Sequence, residues 1–264
     1  MNSLDENGLS DNTLVIFTSD NGAMLNLAGR NAIKAGHKIN GDLLGFKFGV
    51  WEGGHRVPMI AKWPGKIKPG TTSDLLFSQI DLLATFTAMT GQDLSILEGK
   101  DSINMLPALL EDSDAPLRTE LVLAPRHSKN LAIRSGKWVY IGTRGSGGFR
   151  GSKEKDHAWG GPAGVELAGG TNSDIEAGKI KPNAAQGQLY DLQSDVNQTK
   201  NLYNEYPDVV QQLSAALKAY RSQATSSSPK RKRKPRTERQ KKKAAKEPVE
   251  TSFLTPKEIP RGSG

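Results

Sequence analysis

Residues 13–22 read Thr-Leu-Val-Ile-Phe-Thr-Ser-Asp-Asn-Gly, a short run of apolar and β-branched residues that ends in turn residues. A run of this length and composition predicts a β-strand over residues 13–18. Because polar residues do not alternate within the run, it favours a strand covered on both faces, as in a parallel sheet flanked by helices. The segment therefore indicates an α/β fold, with Asp20 and Asn21 directly after the strand.

The chain around this strand continues the α/β pattern. Residues 23–46 have no clean periodicity and predict a long connection, which in a compact domain is often functional. Residues 57–62 predict a second strand, and residues 80–89 have apolar positions at helical spacing that stop at Gly91, a natural helix terminator. Residues 1–115 are thus expected to form a mixed sheet with flanking helices.

The following region, residues 116–222, predicts a small antiparallel sheet packed by a helix. Three strand patterns follow one another at hairpin spacing over residues 120–141, and a fourth lies at 189–192. Twelve glycines lie in residues 142–187, which predicts a long surface loop between the third and fourth strands. Pro207 then opens a helix with one apolar face.

The formal net charge of +8 is concentrated at one end of the chain. From Gln223 onward there are thirteen of the 36 Lys and Arg residues but four of the 28 acidic residues, so this segment carries +9 and residues 1–222 carry −1. Apolar residues are scarce in residues 223–264, which predicts a disordered basic tail. Residues 230–246 could contact a polyanion, or form only a solvated extension.

Several function classes are excluded by composition. The chain has no cysteine, so it contains no disulfide, zinc–thiolate site or thiol nucleophile. It has no run of about 18 apolar residues, so the sequence predicts no membrane span. Residues 1–10 are polar and contain no apolar signal-peptide core, and the location of the protein is left open.

Asp20 and Asn21 are candidate metal ligands. In open α/β sheets, ligands bind beyond the carboxyl ends of strands. A carboxylate beside an amide offers the oxygen ligands that Ca²⁺ or Mg²⁺ takes. Asn-Gly is also a leading turn dipeptide, so a tight turn without a metal is the structural alternative.

Lys47 is a candidate anion-binding residue. It lies in Gly-Phe-Lys-Phe-Gly at 45–49, ahead of Trp-Glu-Gly-Gly-His-Arg-Val-Pro at 51–58. A lysine next to glycines can bring its ammonium against a small anion while the backbone approaches closely, although most lysines are simply exposed. His37, in the connection after Asn21, could line a substrate cleft or be a surface histidine.

Taken in order, these motifs resemble the sulfatase family of the alkaline-phosphatase-like superfamily. The resemblance rests on the strand that ends in Asp-Asn-Gly, on the Gly-x-Lys motif, and on Trp-Glu-Gly-Gly-x-Arg-Val-Pro-Met-Ile-x-x-Trp-Pro-Gly-Lys-Ile at 51–67. It continues at residues 78–91, 132–138 and 188–192, so it covers most of residues 9–222. The fold it implies is an alkaline-phosphatase-like mixed sheet, here only in part.

The resemblance also implies a chemistry, the hydrolysis of a sulfate monoester on a small molecule or glycan. In this family the residues that match Asp20 and Asn21 ligate calcium, and the residue that matches Lys47 contacts a sulfate oxygen. The cation and the ammonium would stabilise the charge on the sulfuryl oxygens. Glu52 and the two glycines after it also match the family signature, and we expect them to support the backbone behind Lys47.

The expected nucleophile does not lie in this sequence. In sulfatases it is a formylglycine made from Cys or Ser in a Cys/Ser-x-Pro-x-Arg segment, and it precedes the Asp-Asn motif. The one Ser-x-Pro-x-Arg match, residues 227–231, lies at the start of the basic tail and on the wrong side of the metal motif. We therefore expect a C-terminal half that is inactive alone, either a truncated reading frame or a chain completed by an N-terminal half from another polypeptide.

Two other functions stay open at this point. One is a non-enzymatic sulfatase remnant whose basic tail binds polyanions, and the other is a phosphate- or phosphonate-ester hydrolase of the same superfamily. The expected domain division is 1–115 for the catalytic part, 116–222 for the smaller α+β part and 223–264 for the tail. Full-length relatives are often exported, which this sequence does not test.

Overall fold

Helices and short strands make up the described part of the chain. The computed structural model describes residues 1–92, 94, 99–110, 116–127, 129–149 and 159–227. The helices are α1 (Asn2–Glu6), α2 (Leu27–Lys34), α3 (Glu52–His55), α4 (Asp81–Met89), α5 (Leu106–Leu110), α6 (Gly161–Leu167) and α7 (Pro207–Ser227), with a 3-10 turn at Ser10–Asn12. The strands are β1 (Val15–Thr18), β2 (Ile39–Asp42), β3 (Met59–Lys62), β4 (Glu120–Leu123), β5 (Ala132–Ser135), β6 (Trp138–Ile141), β7 (Ile175–Glu176), β8 (Lys179–Ile180) and β9 (Gln188–Asp191).

The main strands and helices lie where the sequence predicts them. β1 and β3 fall inside the predicted strand segments, and α4 ends just before Gly91, whose φ of 68° is the left-handed conformation that terminates helices. β4, β5, β6 and β9 match the four predicted strands of the second region. α7 begins at Pro207, as the proline and the apolar periodicity predict.

The pairing of β1 differs from the prediction of a parallel, doubly covered strand, which was wrong. β1 pairs antiparallel with β3, and Phe17 stands opposite Ile60. These two side chains are 63% and 60% exposed. A continuous apolar run shows that both faces of a strand are apolar, but it does not specify the direction of the neighbouring strand or what covers each face.

The first predicted loop, residues 23–46, contains a helix and a strand. α2 is capped by Asn26, whose side chain accepts a hydrogen bond from Gly29 N at 2.9 Å. This contact is an ordinary N-cap, but the glycines and amides around it hid the helical pattern in the sequence. β2 follows α2 and carries Asn40.

The second predicted loop, residues 142–187, also contains regular structure. Its described part holds α6 and the hairpin of β7 and β8. The hairpin turns at Ala177 and Gly178, whose φ values of 47° and 64° are both positive, as a two-residue hairpin turn of type I′ requires. Alanine is not a usual residue at this position, so the turn gave little signal in the sequence.

The second region is an antiparallel sheet with a helix on one face, as predicted. Its strand order is β4-β5-β6-β9, and every neighbouring pair is antiparallel. α7 packs Leu213 and Leu217 against Ile133, Tyr140 and Leu189 of the sheet, and all five side chains are buried. Burial of this apolar stripe fixes α7 on the sheet.

Trp51 joins the first region to this sheet. It is fully buried in a cluster with Val139 and Tyr190 of the sheet. Its Nε1 atom donates a hydrogen bond to Gln188 Oε1 at 2.8 Å. The core therefore runs across residue 115, and the domain division at that residue stays a prediction.

Residues 1–222 form one compact unit. The predicted basic tail lies outside the described residues from residue 228 onward, and so does the polyanion contact predicted for residues 230–246. Among the helices that the structure describes, none is both long enough and apolar enough to cross a membrane.

A buried ion pair ties α4 to the segment before β4. Arg118 donates to both carboxylate oxygens of Asp81, with its Nε atom 3.0 Å from Oδ2. The side chains are 8% and 0% exposed. Asp81 also accepts the backbone N–H groups of Ser78 and Ile103, each at 2.9 Å. The carboxylate is thus fully hydrogen-bonded, which buried charge requires.

We predict that Asp81→Ala lowers the free energy of unfolding by about 3–5 kcal/mol, because it leaves a buried guanidinium unpaired. The matched control is Asp42→Ala, which breaks the exposed pair with Lys38, where the two side chains are 64% and 67% exposed. That change should cost less than about 1 kcal/mol. Urea unfolding of the full chain, followed by circular dichroism, measures both; equal losses would contradict the prediction.

Candidate functional site

Asp20 and Asn21 lie in the turn that follows β1. Ser19 Oγ donates to Asn21 O at 2.9 Å, and Asn21 Nδ2 donates to Gly22 O at 3.0 Å. The amide nitrogen is thus engaged, and the Oδ1 atom of Asn21 has no hydrogen-bond partner among the described residues. The Asp20 carboxylate is exposed and has none there either. Both side chains therefore have oxygens available to a ligand.

Gly22 brings this turn into contact with α3. Its N–H group donates to Gly54 O at 3.1 Å. A Cβ atom on Gly22 would lie 1.8 Å from Gly53 O, so no side chain fits at this position. The close approach fixes Asn21, the next residue back along the chain, against the glycine pair.

Asn40 joins the same turn to the loop that carries Lys47. Its Oδ1 atom accepts from Ala23 N at 2.8 Å, and its Nδ2 atom donates to Gly45 O at 2.9 Å. In addition, Lys47 N donates to Ala23 O at 3.0 Å. The structure thus brings the turn with Asn21 and the Lys47 loop together. Sequence reasoning missed Asn40, because nothing distinguishes it from the other amides of its segment.

The Lys47 ammonium has no carboxylate partner among the described residues. The side chain is half-buried, and its Nζ atom lies 5.7 Å from the ring centroid of Phe48. A lysine that is not paired with a carboxylate keeps its three donors for an anion. This arrangement is the one that an anion-binding role for Lys47 needs.

The glycine pair of α3, Gly53 and Gly54, packs against the backbone of the Lys47 loop. Gly53 N donates to Leu44 O at 2.7 Å. A Cβ on Gly53 would lie 2.4 Å from Gly45 O, and one on Gly54 would lie 2.6 Å from Gly49 O. The two glycines are therefore needed for a backbone contact that any larger residue would prevent.

Glu52, at the start of α3, is a fully buried carboxylate. Its backbone N–H donates to the side chain of Gln198 at 2.8 Å, and its Oε2 atom accepts from Arg56 Nη1 at 3.2 Å. His55 Nε2 lies 3.7 Å from Glu52 Oε1 but donates to Val50 O at 3.0 Å. Burial lowers the pKa of His55, against the opposite effect of the Glu52 charge. Burial therefore favours the neutral ring of His55, which donates to Val50 O.

A cleft of about 600 Å³ opens beside Asn21. Arg56, Asn40 and Ile39 also line it, but Asp20, His37 and Lys47 do not. His37 lies in the exposed segment after α2, with its backbone N–H donating to Ala32 O at 2.9 Å. Its substrate-binding role stays a prediction.

The donor set is chemically suited to part of a calcium shell. Asp20 offers a carboxylate and Asn21 an amide oxygen, and hard cations take oxygen ligands of both kinds. Within the described ranges, no group of three or more His, Cys, Asp or Glu side chains is placed to hold a metal ion. Two ligands alone should bind Ca²⁺ weakly, because affinity follows the number and charge of the ligands.

Comparison with known proteins finds sulfatases. The sulfatase family model matches residues 1–92. Over 225 residues the chain is 34% identical to an N-acetylgalactosamine-6-O-sulfatase of Bacteroides thetaiotaomicron, a match that covers 84% of this chain and 39% of that protein. Over 151 residues it is 35% identical to human arylsulfatase A, covering 55% of this chain and 28% of that protein.

A solved structure gives the same result. It comes from work on the metabolism of multiple glycosaminoglycans by Bacteroides thetaiotaomicron, and it matches with a TM-score of 0.66 and 30% identity. The match covers 84% of this chain and 41% of that one. The chain thus spans less than half the length of each of these relatives.

We predict that Gly22→Ala destabilises the protein by about 1–3 kcal/mol or more, since the added methyl group overlaps the Gly53 carbonyl. The matched control is Gly142→Ala at an exposed site, where the nearest atom to a Cβ is Tyr140 Oη at 3.5 Å. The control should change stability by less than about 0.5 kcal/mol. Urea unfolding midpoints compare the two, and a Gly22→Ala midpoint equal to that of the control would refute the close approach.

We also predict that stability falls as the pH drops below 6.5, the ordinary pKa of histidine from which that of His55 is lowered. Between the lowered pKa and 6.5 the unfolded state binds more protons than the folded state. The contribution of neutral His55 to the free energy of unfolding is therefore complete above pH 6.5 and is lost as the pH falls towards the lowered pKa. His55→Gln should flatten this slope, whereas His37→Gln should keep it. Unfolding free energies from pH 4.5 to 8, roughly the range in which histidine titrates, provide the test; parallel slopes in the protein and in His55→Gln would contradict it.

Proposed function

Because the chain belongs to the sulfatase family, we propose that it supplies the calcium-binding and sulfate-binding half of a sulfate-monoester hydrolase. The observation that carries the proposal is the hydrogen-bonded junction between the turn with Asn21 and the loop with Lys47. The junction places the segment with the two proposed cation ligands, Asp20 and Asn21, next to the segment with the Lys47 ammonium. Hydrolysis of a sulfate ester is favoured by both positive groups, a bound cation and an ammonium, because they stabilise the charge on the sulfuryl oxygens as the ester bond breaks.

Each residue has a defined part in this proposal. Asp20 and Asn21 present oxygens to Ca²⁺, and bound Ca²⁺ would polarise the sulfuryl group as a Lewis acid. Lys47 donates to a sulfate oxygen and neutralises part of its charge. Asn40 and Gly22 position these groups, since they fix the backbone on which Asn21 and Lys47 stand.

We propose that the nucleophile, a formylglycine in this family, is not contributed by this chain. The sequence has no cysteine, and its Ser-x-Pro-x-Arg match at 227–231 follows the metal motif instead of preceding it. The chain by itself should therefore bind sulfate esters without hydrolysing them. The substrate class that we propose is a sulfated glycan, in line with the N-acetylgalactosamine-6-O-sulfatase to which 84% of this chain is similar.

We predict that the chain binds 4-nitrophenyl sulfate in the presence of Ca²⁺ and that Lys47→Ala weakens this binding at least about tenfold, since a hydrogen bond to a charged group contributes about 1.5–3 kcal/mol. Lys66→Ala, at an exposed site, is the matched control. Asp20→Asn should abolish the calcium dependence, whereas Asp11→Asn should preserve it. Isothermal titration calorimetry measures each variant.

Three outcomes would count against the proposal. Binding that is unchanged in Lys47→Ala would remove the sulfate site. Tighter, Lys47-dependent binding of 4-nitrophenyl phosphate than of the sulfate would favour the phosphate-ester alternative. Release of 4-nitrophenol from the sulfate by the pure chain would show that the nucleophile lies in this polypeptide after all.

A further inference from the structure

Three aromatic rings and an exposed arginine lie beside Lys47. We propose that Phe48, Phe149 and Trp159, called here the aromatic wall, bind with Arg126 the saccharide part of a sulfated sugar that carries a second anionic group. The inference rests on the proposed function, because it takes the sulfate ester to be at Lys47. It adds a determinant of substrate specificity that the proposed metal-binding residues and Lys47 do not provide.

The three rings form a continuous group. The centroids of Phe48 and Phe149 are 5.0 Å apart with the rings edge to face, and those of Phe149 and Trp159 are 4.6 Å apart. Phe48 and Trp159 are 6.3 Å apart. Every ring is partly exposed, so the group presents an aromatic surface and is not sealed in the core.

Two cations flank this surface. Lys47 Nζ lies 5.7 Å from the centroid of Phe48, and Arg126 Cζ lies 5.7 Å from the centroid of Phe149. Arg126 is exposed, and its backbone N–H donates to Phe48 O at 2.9 Å. A ligand whose sulfate meets Lys47 would lie beside the Phe48 ring, at one end of a ring group that has Arg126 at the Phe149 ring.

The backbone that carries the wall is held in an unusual conformation. Phe48 has a φ of 84°, which is rare for a residue with a bulky side chain and costs conformational energy. Backbone hydrogen bonds hold this segment, because Lys47 N donates to Ala23 O at 3.0 Å, Phe48 O accepts from Arg126 N at 2.9 Å and Val50 N donates to Ser146 O at 2.8 Å. Strain that the surroundings maintain in this way is typical of ligand-binding segments.

The second cation beside the rings favours a charged saccharide over an aryl sulfate. Aromatic rings can pack against the apolar C–H face of a pyranose or against an aryl group, but a planar guanidinium also pairs with a carboxylate or a second sulfate. An aryl sulfate has one anionic group, which Lys47 would contact, so Arg126 would add little to its binding. The aromatic wall thus points to a polyanionic sugar such as a glycosaminoglycan unit.

The test measures binding to the full chain with Ca²⁺ by saturation-transfer NMR. The probes are N-acetylgalactosamine 4,6-disulfate, N-acetylgalactosamine 6-sulfate and 4-nitrophenyl sulfate. We expect Arg126→Ala to weaken the disulfate about tenfold and to leave 4-nitrophenyl sulfate within about twofold. Phe149→Leu should weaken both sugars about fivefold, because ring packing and the contact with Arg126 are lost together.

Matched controls and a folding check accompany these variants. Lys129→Ala removes an exposed positive charge three residues from Arg126 in the sequence, and Phe17→Leu replaces an exposed aromatic ring on β1 with an aliphatic side chain. Both controls should bind all three probes as the unaltered chain does. Thermal unfolding of each variant shows whether a loss of binding reflects a loss of folded protein.

The outcomes separate the two proposals. If Lys47→Ala weakens every probe but Arg126→Ala changes the disulfate and the aryl sulfate by the same factor, or Phe149→Leu leaves both sugars unchanged, this inference is wrong. If Lys47→Ala leaves 4-nitrophenyl sulfate binding unchanged, the proposed function is wrong, and the further inference that rests on it falls with it. If none of the probes binds, both proposals are overturned.

Discussion

The candidate site depends on a contact between backbone segments that leaves no room for side chains. Gly22 meets the carbonyl of Gly53, and Gly54 meets that of Gly49, at distances that would place an added Cβ 1.8 Å and 2.6 Å from oxygen. Glycine at these positions is a steric requirement and not a matter of flexibility. The contact fixes where Asn21 stands relative to Lys47, so the chemistry of the site depends on it.

This contact is held in place from the second region of the chain. Trp51 donates to Gln188, and Glu52 N donates to Gln198, both at 2.8 Å in buried surroundings. Glu52 brings a charge into this core, and the electrostatic influence of that carboxylate extends to Arg134 of β5, whose pKa is lowered by burial. Buried amide side chains that satisfy the backbone and indole donors make the first region inseparable from the antiparallel sheet.

The sequence predicted the parts of this protein that depend on local patterns. Strand and helix positions such as α4, with its terminating Gly91, and α7, with its initial Pro207, follow from periodicity and turn chemistry. The direction of β1 could not be predicted in the same way, because pairing is set by distant residues. The same applies to Asn40 and to the aromatic wall, which become recognisable as a group only after folding brings separate segments together.

The hydrogen bonds of Asn40 have a consequence for ligand binding. Together with the bond from Lys47 N to Ala23 O, they connect the turn of Asn21 to the Lys47 loop at two points and restrain the two backbone segments relative to each other. The relative positions of the backbone segments that carry Asn21 and Lys47 are therefore set when the chain folds, and not when a ligand arrives. A ligand that uses both segments would avoid part of the entropy loss that two independent loops would impose.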